Sequence, residues 1–131
     1  MEVHMEQIKI YRCPHCGNIV VHLYNSGVPL VCCGEEMKLL EPNVETASVE
    51  KHVPVIEVVE DKVCVTVGST AHPMTREHYI EWIILQSKTG FQVHHFAPGQ
   101  MPAFAFRIEK SVTPIAAYAY CNIHGLWVAN V

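Results

Sequence analysis

The sequence predicts an all-β protein, in which a small N-terminal metal knuckle is followed by a seven-stranded antiparallel β-sandwich of immunoglobulin-like type. Three observations support this fold class. Four cysteines are clustered before residue 34, seven short β-rich segments follow from residue 54 onward, and no stretch has the apolar period of a long helix. We therefore expect two domains, residues 1–41 and 42–131, joined near Glu41-Pro42-Asn43.

The N-terminal domain is predicted from Cys13, Cys16, Cys32 and Cys33. A Cys-x2-Cys turn lets two sulfurs converge, and a second pair completes a tetrahedral sulfur site for one metal ion. Because so short a segment has little hydrophobic core, the metal would stabilise its fold. The adjacent pair is unusual, since neighbouring residues of an extended strand point to opposite faces. Both can reach one ion only if the backbone bends sharply between them, and Gly34 suits such a bend.

The strands of the second domain are predicted from β-branched and aromatic segments that are separated by turn signals. These segments are residues 54–59, 63–67, 80–86, 91–96, 103–108, 115–120 and 126–131. Seven short strands of this kind fit two sheets that share a core from alternate positions. Three rows of side chains are candidates for that core, although the pattern alone does not decide which faces inward: Val63, Val65 and Val67; Phe104 and Phe106; Tyr118 and Tyr120.

Composition excludes several classes of function. The net charge is -4 and the lysines and arginines form no basic run, so general nucleic-acid binding is not expected. The N-terminus lacks the features of a signal peptide, and no segment offers about 18 uninterrupted apolar residues. We therefore expect a soluble cytoplasmic protein without a membrane partner. In that reducing compartment, the clustering of four of the six cysteines favours metal thiolates over disulfides.

A second set of candidate ligands lies in four short motifs of the sandwich domain: EKHVP at 50–54, HPM at 72–74, EHYIEW at 77–82 and CNIHG at 121–125. The Cys-x2-His spacing of the last motif lets one tight turn aim both side chains at one ion. Pro73 disfavours a continuous helix through His72, so His72 and His78 are expected on a loop at one end of the sandwich.

Together these motifs resemble the desulfoferrodoxins, which are two-iron superoxide reductases, and the resemblance covers nearly the whole chain. The N-terminal quartet is similar to the desulforedoxin-type iron centre, and the four later motifs recur in the order found in superoxide reductases. Several motifs in the right order are much stronger evidence than any one of them alone. The chain keeps all four cysteines of the first centre, as in the two-iron class.

The resemblance implies two iron ions per chain. The first would be bound by Cys13, Cys16, Cys32 and Cys33, and the catalytic iron by His52, His72, His78, His124 and Cys121. It further implies that Glu50 and Lys51 take part in catalysis, with Glu50 a ligand of the ferric form and Lys51 near the substrate. The implied activity is reduction of superoxide to hydrogen peroxide, as an antioxidant defence. The iron would be re-reduced by a rubredoxin-like donor, and the protein would be a homodimer.

The residue types agree with this chemistry, since imidazoles and a thiolate suit a redox metal such as iron, whereas carboxylates would favour magnesium or calcium. A thiolate ligand donates electron density through iron, as an axial cysteine does in haem enzymes. Backbone N–H groups of residues 122–124 are positioned in sequence to hydrogen-bond the Cys121 sulfur. Two alternatives stay open at this point. The quartet also fits a structural zinc site. Separately, the chain would be a non-catalytic electron-transfer protein or a zinc-stabilised interaction module if the histidine set were degenerate or merely structural.

Overall fold

The computed structural model describes residues 7–43 and 49–131, without the side chains of residues 49 and 50. The chain divides into two compact units, Met1–Glu41 and Pro42–Val131. Within the described residues there are twelve strands and one four-residue helix, α1 (Val49–His52), so the all-β prediction is confirmed. In those same ranges, no helix has the length and apolar character that crossing a membrane would require.

The first unit contains two small antiparallel sheets. Its five strands are β1 (Ile10–Arg12), β2 (Ile19–Val21), β3 (Val31–Cys32), β4 (Glu35–Glu36) and β5 (Lys38–Leu39). One sheet has the order β2-β1-β5, and β3 pairs with β4 in the other. Among the described residues of this unit, only Ile10 and Cys13 are fully buried. So small an apolar interior supplies little stability, which is the situation in which a bound metal contributes most to folding.

The cysteine pair lies at a tight hairpin turn. Cys32 ends β3 opposite Glu35, and the two intervening residues have positive φ angles of 53° at Cys33 and 75° at Gly34. Two consecutive left-handed residues between antiparallel strands are typical of a type I′ turn. The predicted sharp bend between the two cysteines is therefore confirmed, with Gly34 taking the second left-handed position.

The second unit contains the seven predicted strands. They are β6 (Pro54–Val59), β7 (Lys62–Val67), β8 (Ile80–Ser87), β9 (Phe91–His95), β10 (Ala103–Arg107), β11 (Pro114–Cys121) and β12 (Gly125–Asn130). They form two antiparallel sheets, with the orders β10-β7-β6 and β12-β11-β8-β9. The antiparallel β-sandwich of the prediction is confirmed, and the strand bounds differ from it by one residue or so at the ends.

The core of the sandwich is built from facing rows of the two sheets. Val63, Val65 and Val67 of β7 are at most 1% exposed, which confirms the predicted inward row. They are packed in one cluster with β8 and β11 residues that include Ile83, Leu85, Ala117 and Ala119. Burying each large aliphatic side chain contributes about 1.5–3 kcal/mol relative to exposure. This core supports the strand ends from which the candidate ligands project.

The two aromatic rows behave differently from the valine row. Phe106 joins the core, whereas Phe104 is 38% exposed and stacks on His94 with ring centroids 3.7 Å apart. Tyr118 and Tyr120 are buried, but alternation along β11 places them on the face opposite Ala117 and Ala119. The tyrosine row therefore packs outside the core that the two sheets share.

Strand pairing also determines where the candidate ligands can meet. Pro54 at the start of β6 pairs with Val67 at the end of β7. In the other sheet, Cys121 at the end of β11 pairs with both Ile80 and Gly125, at the starts of β8 and β12. Three segments begin or end at these positions: helix α1, the loop between β7 and β8, and the turn between β11 and β12. The candidate ligands of the sandwich are carried by these three segments.

Candidate metal centres

The four N-terminal cysteines form one group of sulfurs. The Sγ atoms of Cys13, Cys16, Cys32 and Cys33 all lie within 4.8 Å of one another. Cys16 Sγ is 3.6 Å from Cys32 Sγ, and Cys32 Sγ is 4.0 Å from Cys33 Sγ. Metal–sulfur bonds of about 2.3 Å in a tetrahedral site place the sulfurs about 3.8 Å apart. The observed spacing therefore fits a single tetrahedral metal ion.

The protonation states of these thiols favour a bound cation. The backbone N–H of Cys16 donates to Cys13 Sγ at 3.4 Å, and this hydrogen bond lowers the pKa of Cys13 to about 6. The pKa of Cys33 is raised instead, because its thiol hydrogen-bonds with Cys16 and Cys13. Four sulfurs this close cannot all be anionic without a positive charge among them. A metal ion supplies that charge and lets all four bind as thiolates.

A second group lies at the end of the sandwich. Ligand atoms of His52, His72, His78 and Cys121 lie within 4.8 Å of one another, although the four residues are far apart in sequence. His52 ends α1, His72 and His78 lie on the loop between β7 and β8, and Cys121 ends β11. This confirms the loop position predicted for the two middle histidines.

The unpaired nitrogens of this group are buried. His72 Nδ1–H donates to the carbonyl oxygen of Pro73 at 2.6 Å, so its Nε2 carries the lone pair. That Nε2 and the Nε2 of His78 are both buried and have no hydrogen-bond partner among the described residues. Buried polar atoms are almost always satisfied, so two unpaired nitrogens beside one thiol fit a site that binds a metal ion. Three imidazoles and a thiolate suit iron or zinc and do not suit magnesium or calcium.

His124 lies next to this group. Its Nδ1 is 3.1 Å from His52 Nε2 and 3.8 Å from Cys121 Sγ. Its ring centroid is 5.0 Å from that of His78. The tight turn after β11 thus brings His124 back toward Cys121, which is the arrangement that a Cys-x2-His spacing favours. His124 is therefore in a position to bind the same ion.

Burial shifts the pKa values of the ligand groups. It lowers the pKa of His72 to about 4, an effect partly opposed by the hydrogen bond to Pro73, so the imidazole is neutral and able to bind a metal at pH 7. Burial raises the pKa of the Cys121 thiol, and backbone hydrogen bonds from His124 and Ile123 oppose that rise. Both residues lie in the segment 122–124 from which the sequence predicted such contacts. Hydrogen bonds of this kind tune how strongly a metal-bound thiolate donates electron density.

Of the two predicted catalytic residues, Lys51 is described in full and Glu50 is not. Lys51 is exposed at the end of α1. The pKa of His78 is lowered mainly by burial, next by His124, and also by the positive charge of Lys51, so the ammonium group acts on this site. Glu50 has its backbone in the same helix, and its side chain lies outside the described residues.

Two residues at the site were not predicted to act there. Gly68, just after β7, has a φ of 82°, and a Cβ at this position would lie 2.6 Å from the carbonyl oxygen of Lys51. Trp127 of β12 stacks on His52. A glycine after a strand is a general turn signal, and a lone tryptophan carries no ligand signal. The sequence therefore offered no specific indication of either contact.

The family model for desulfoferrodoxin matches residues 44–130, and the model for the desulfoferrodoxin N-terminal domain matches residues 5–40. The chain is 44% identical to a desulfoferrodoxin of Syntrophotalea carbinolica over 122 residues, which cover 93% of this chain and 95% of the relative. It is 46% identical to a desulfoferrodoxin of Nitratidesulfovibrio vulgaris, with coverage of 95% and 97%.

Among solved structures, the chain resembles the superoxide reductase from Treponema pallidum. The TM-score is 0.79 at 31% sequence identity, and the match covers 94% of this chain and 97% of the other. This likeness spans both units of the fold.

Proposed function

The chain belongs to the desulfoferrodoxin family, and from this premise we propose that it is a superoxide reductase with two iron ions. The observation that carries the proposal is the second ligand group, in which buried imidazole nitrogens of His72 and His78 without partners lie beside the Cys121 thiol. Superoxide gains one electron and two protons and leaves as hydrogen peroxide. A rubredoxin-like donor returns the electron.

The ligands of the catalytic iron in this proposal are His52, His72, His78, His124 and Cys121. Support for the first three and for Cys121 comes from their convergence within 4.8 Å. His124 is included because its Nδ1 lies within 3.8 Å of the Cys121 sulfur. When bound there, ferrous iron supplies the single electron that superoxide requires. The donor set suits this role, because a thiolate ligand increases electron donation from the metal.

The protein's own residues prepare the site for an anionic substrate. Lys51 is exposed, and its positive charge acts on His78 of the group, so it raises the local concentration of superoxide and stabilises the charge that develops on the product. Glu50, one residue earlier in α1, is proposed as the carboxylate that binds the oxidised iron and helps to release peroxide. Burial of His52 and His72 keeps the ligand side of the site free of bulk water.

The first unit has a different role in this proposal. Its four cysteine sulfurs would provide all the ligands of one tetrahedral metal ion. An iron held by them would supply one-electron transfer and would leave no position for substrate. Residues 1–41 then form a desulforedoxin-like iron domain, and residues 42–131 form the catalytic domain.

We further propose that the protein is a cytoplasmic homodimer. None of the six cysteines, all of which lie in the described ranges, is in a disulfide, a state that a reducing compartment preserves. The first unit exposes four large apolar side chains that are each at least 64% accessible: Leu23, Tyr24, Val28 and Val31. Exposed apolar residues at this density suit an interface with a second copy, and the dimer would bury them. Sedimentation at micromolar concentration tests the dimer, and a monomer would contradict it.

The activity is tested with purified protein loaded anaerobically with ferrous iron. We expect two irons per chain, a visible ferric-thiolate band from each centre after oxidation, and one hydrogen peroxide formed per superoxide consumed when a reductant is supplied. A colourless zinc protein that leaves superoxide unreacted would refute the proposal and favour a zinc-stabilised interaction module. Two irons without superoxide reduction would favour a simple electron carrier.

A further inference from the structure

Asn122, which follows the Cys121 ligand, forms three hydrogen bonds to the segment that carries His78. Its backbone N–H donates to the carbonyl oxygen of Tyr79 at 3.2 Å. The backbone N–H of Tyr79 donates to Asn122 Oδ1 at 3.0 Å, and Asn122 Nδ2 donates to the carbonyl oxygen of Glu77 at 2.9 Å. The partners are the two residues on either side of His78.

These bonds begin where regular strand pairing stops. The β8–β11 ladder runs to the Ile80–Cys121 pair, and its register shifts between Tyr120 and Cys121. Beyond an irregularity of this kind, the ladder no longer fixes the position of the next residues. The backbone of Asn122 extends the link between β11 and β8 beyond the ladder by bonding to Tyr79. Its side chain extends that link past His78 by bonding to Glu77.

The local turn around His78 does not provide this link by itself. Thr75 Oγ1 accepts from the His78 N–H at 3.1 Å, and the Thr75 N–H donates to the His78 carbonyl oxygen at 3.0 Å. Both bonds close the turn onto itself. They determine the shape of the loop, whereas the bonds of Asn122 determine where that loop lies relative to Cys121.

Only an amide side chain satisfies both partners. The atom facing the Tyr79 N–H must be an acceptor and the atom facing the Glu77 carbonyl must be a donor, which fixes the orientation of the amide. Aspartate would retain the acceptor but place an anionic oxygen against the Glu77 carbonyl. Alanine would remove both side-chain bonds.

We propose that Asn122 is a positioning residue that sets the imidazole of His78 relative to the thiolate of Cys121. The inference deepens the proposed function, because it rests on His78 and Cys121 binding the same iron. Residues that orient metal ligands through hydrogen bonds typically change metal affinity about 10- to 100-fold when they are replaced. Asn122 acts on the backbone beside a ligand and does not contact substrate.

The test compares Asn122→Ala and Asn122→Asp with a matched control, Gln92→Ala. Gln92 is also an exposed amide with one side-chain bond to a backbone oxygen, that of Arg107 at 3.0 Å, on strands that carry no proposed ligand. Three readouts are used. They are amide exchange of Tyr79 in the metal-free protein, the wavelength of the ferric-thiolate band of the second centre, and the rate of iron release to a chelator.

We expect Asn122→Ala to speed exchange at Tyr79 about tenfold, to shift the thiolate band, and to release iron roughly tenfold faster than the parent protein. Asn122→Asp should protect Tyr79 better than alanine does and still release iron faster than Gln92→Ala. If Asn122→Ala folds poorly, Asn122→Asp is compared with Gln92→Ala instead.

Faster exchange at Tyr79 with an unshifted band and parental iron release would overturn the inference, since the bonds would then be structural only. An unchanged exchange rate at Tyr79 in Asn122→Ala would overturn the inference as well. Neither result would affect the proposed function, which is measured separately by superoxide reduction in the parent protein.

Discussion

The indole ring of Trp127 lies flat against the imidazole of His52, with ring centroids 4.7 Å apart and planes 18° from parallel. Trp127 is 0% exposed, and its Nε1 has no hydrogen-bond partner among the described residues. The stack holds one face of a proposed ligand against the β12 strand. The indole N–H of Trp127 is an unpaired donor in the interior, which lowers the stability of the fold.

We therefore expect Trp127→Phe to be tolerated and Trp127→Leu to be damaging. Phenylalanine keeps an aromatic face against His52 and removes the unpaired N–H, so its cost should stay below about 1.5 kcal/mol. Leucine removes the flat contact and leaves a cavity, which should cost about 2–4 kcal/mol. Urea unfolding of the metal-free variants measures both. Equal losses from the two substitutions would contradict a role for the stack.

The same stack predicts a fluorescence signal for metal binding. Trp82 is the only other tryptophan, and it stacks on Tyr120. In a Trp82→Phe background, emission comes from Trp127 alone and should be quenched as iron binds next to His52. In the reciprocal Trp127→Phe background, the iron-dependent quenching should be much smaller. Similar quenching in both backgrounds would show that Trp127 does not report on this site.

Lys51→Ala should slow the capture of superoxide about 3- to 10-fold and weaken its dependence on ionic strength, since one charge near the substrate is lost. Lys51→Arg retains the charge and should stay close to the parent rate. Lys88→Ala, in the turn between β8 and β9, is the control for a change of net charge away from the site. Pulse radiolysis at several salt concentrations gives the rates. A rate unaffected by Lys51→Ala would exclude electrostatic steering by this residue.

Gly68→Ala should disturb the Lys51 segment. A Cβ at Gly68 would lie 2.6 Å from the carbonyl oxygens of both Lys51 and Thr70, and the φ of 82° already disfavours a side chain. Gly99 provides a matched control, since its φ is 88° and no atom lies within 4 Å of its added Cβ. We expect Gly99→Ala to cost about 1 kcal/mol and Gly68→Ala about 2–4 kcal/mol in unfolding free energy.

The difference in unfolding free energy between the two glycine variants measures the steric clash with the Lys51 backbone. It should be accompanied by slower superoxide capture in Gly68→Ala alone. If both variants lose the same stability and retain the parent rate, Gly68 contributes only its backbone conformation.

Cys13→Ser should unfold the first unit and leave the second folded. With only Ile10 and Cys13 fully buried among its described residues, the first unit depends on its metal, whereas the second unit has its own core. Hydrogen exchange should show lost protection at Leu40, whose N–H donates to the Ile10 carbonyl, and retained protection in β8 and β11. Cys64→Ser is the control, because Cys64 lies in neither ligand group. Protection that persists at Leu40 without metal would contradict this dependence.

The metal-free protein should lose stability as the solution is acidified. The pKa of His72 is about 4 in the folded chain and near 6.5 when exposed, so the unfolded chain binds the proton first. Its contribution to stability is complete above about pH 6.5 and is lost as the pH falls toward 4. Urea midpoints measured between pH 7 and pH 5 should fall less in His72→Gln than in the parent. If the urea midpoints of His72→Gln and the parent fell equally, the acid sensitivity would come from other groups.

Much of the strand pattern could be predicted from the sequence because its signals are local. Alternating β-branched residues such as Val63 and Val65, and the Cys-x2-Cys and Cys-x2-His spacings, are readable within a few residues. The supports of the second site are not local. Asn122 contacts residues 43 and 45 positions away, and no short pattern encodes such pairs. The face on which Tyr118 lies was equally undetermined, since both faces of β11 are buried.

The turn at Cys33 and Gly34 has one more consequence, for the choice of amino acid at that position. With φ at 53°, Cys33 occupies a conformation that asparagine or glycine adopts at lower cost, and Asn-Gly is the preferred pair for a type I′ turn. The hairpin alone would therefore be better served by asparagine. A cysteine at this position therefore costs backbone energy that its role as a ligand explains. Cys33→Asn would remove a ligand and lower the conformational energy of the turn.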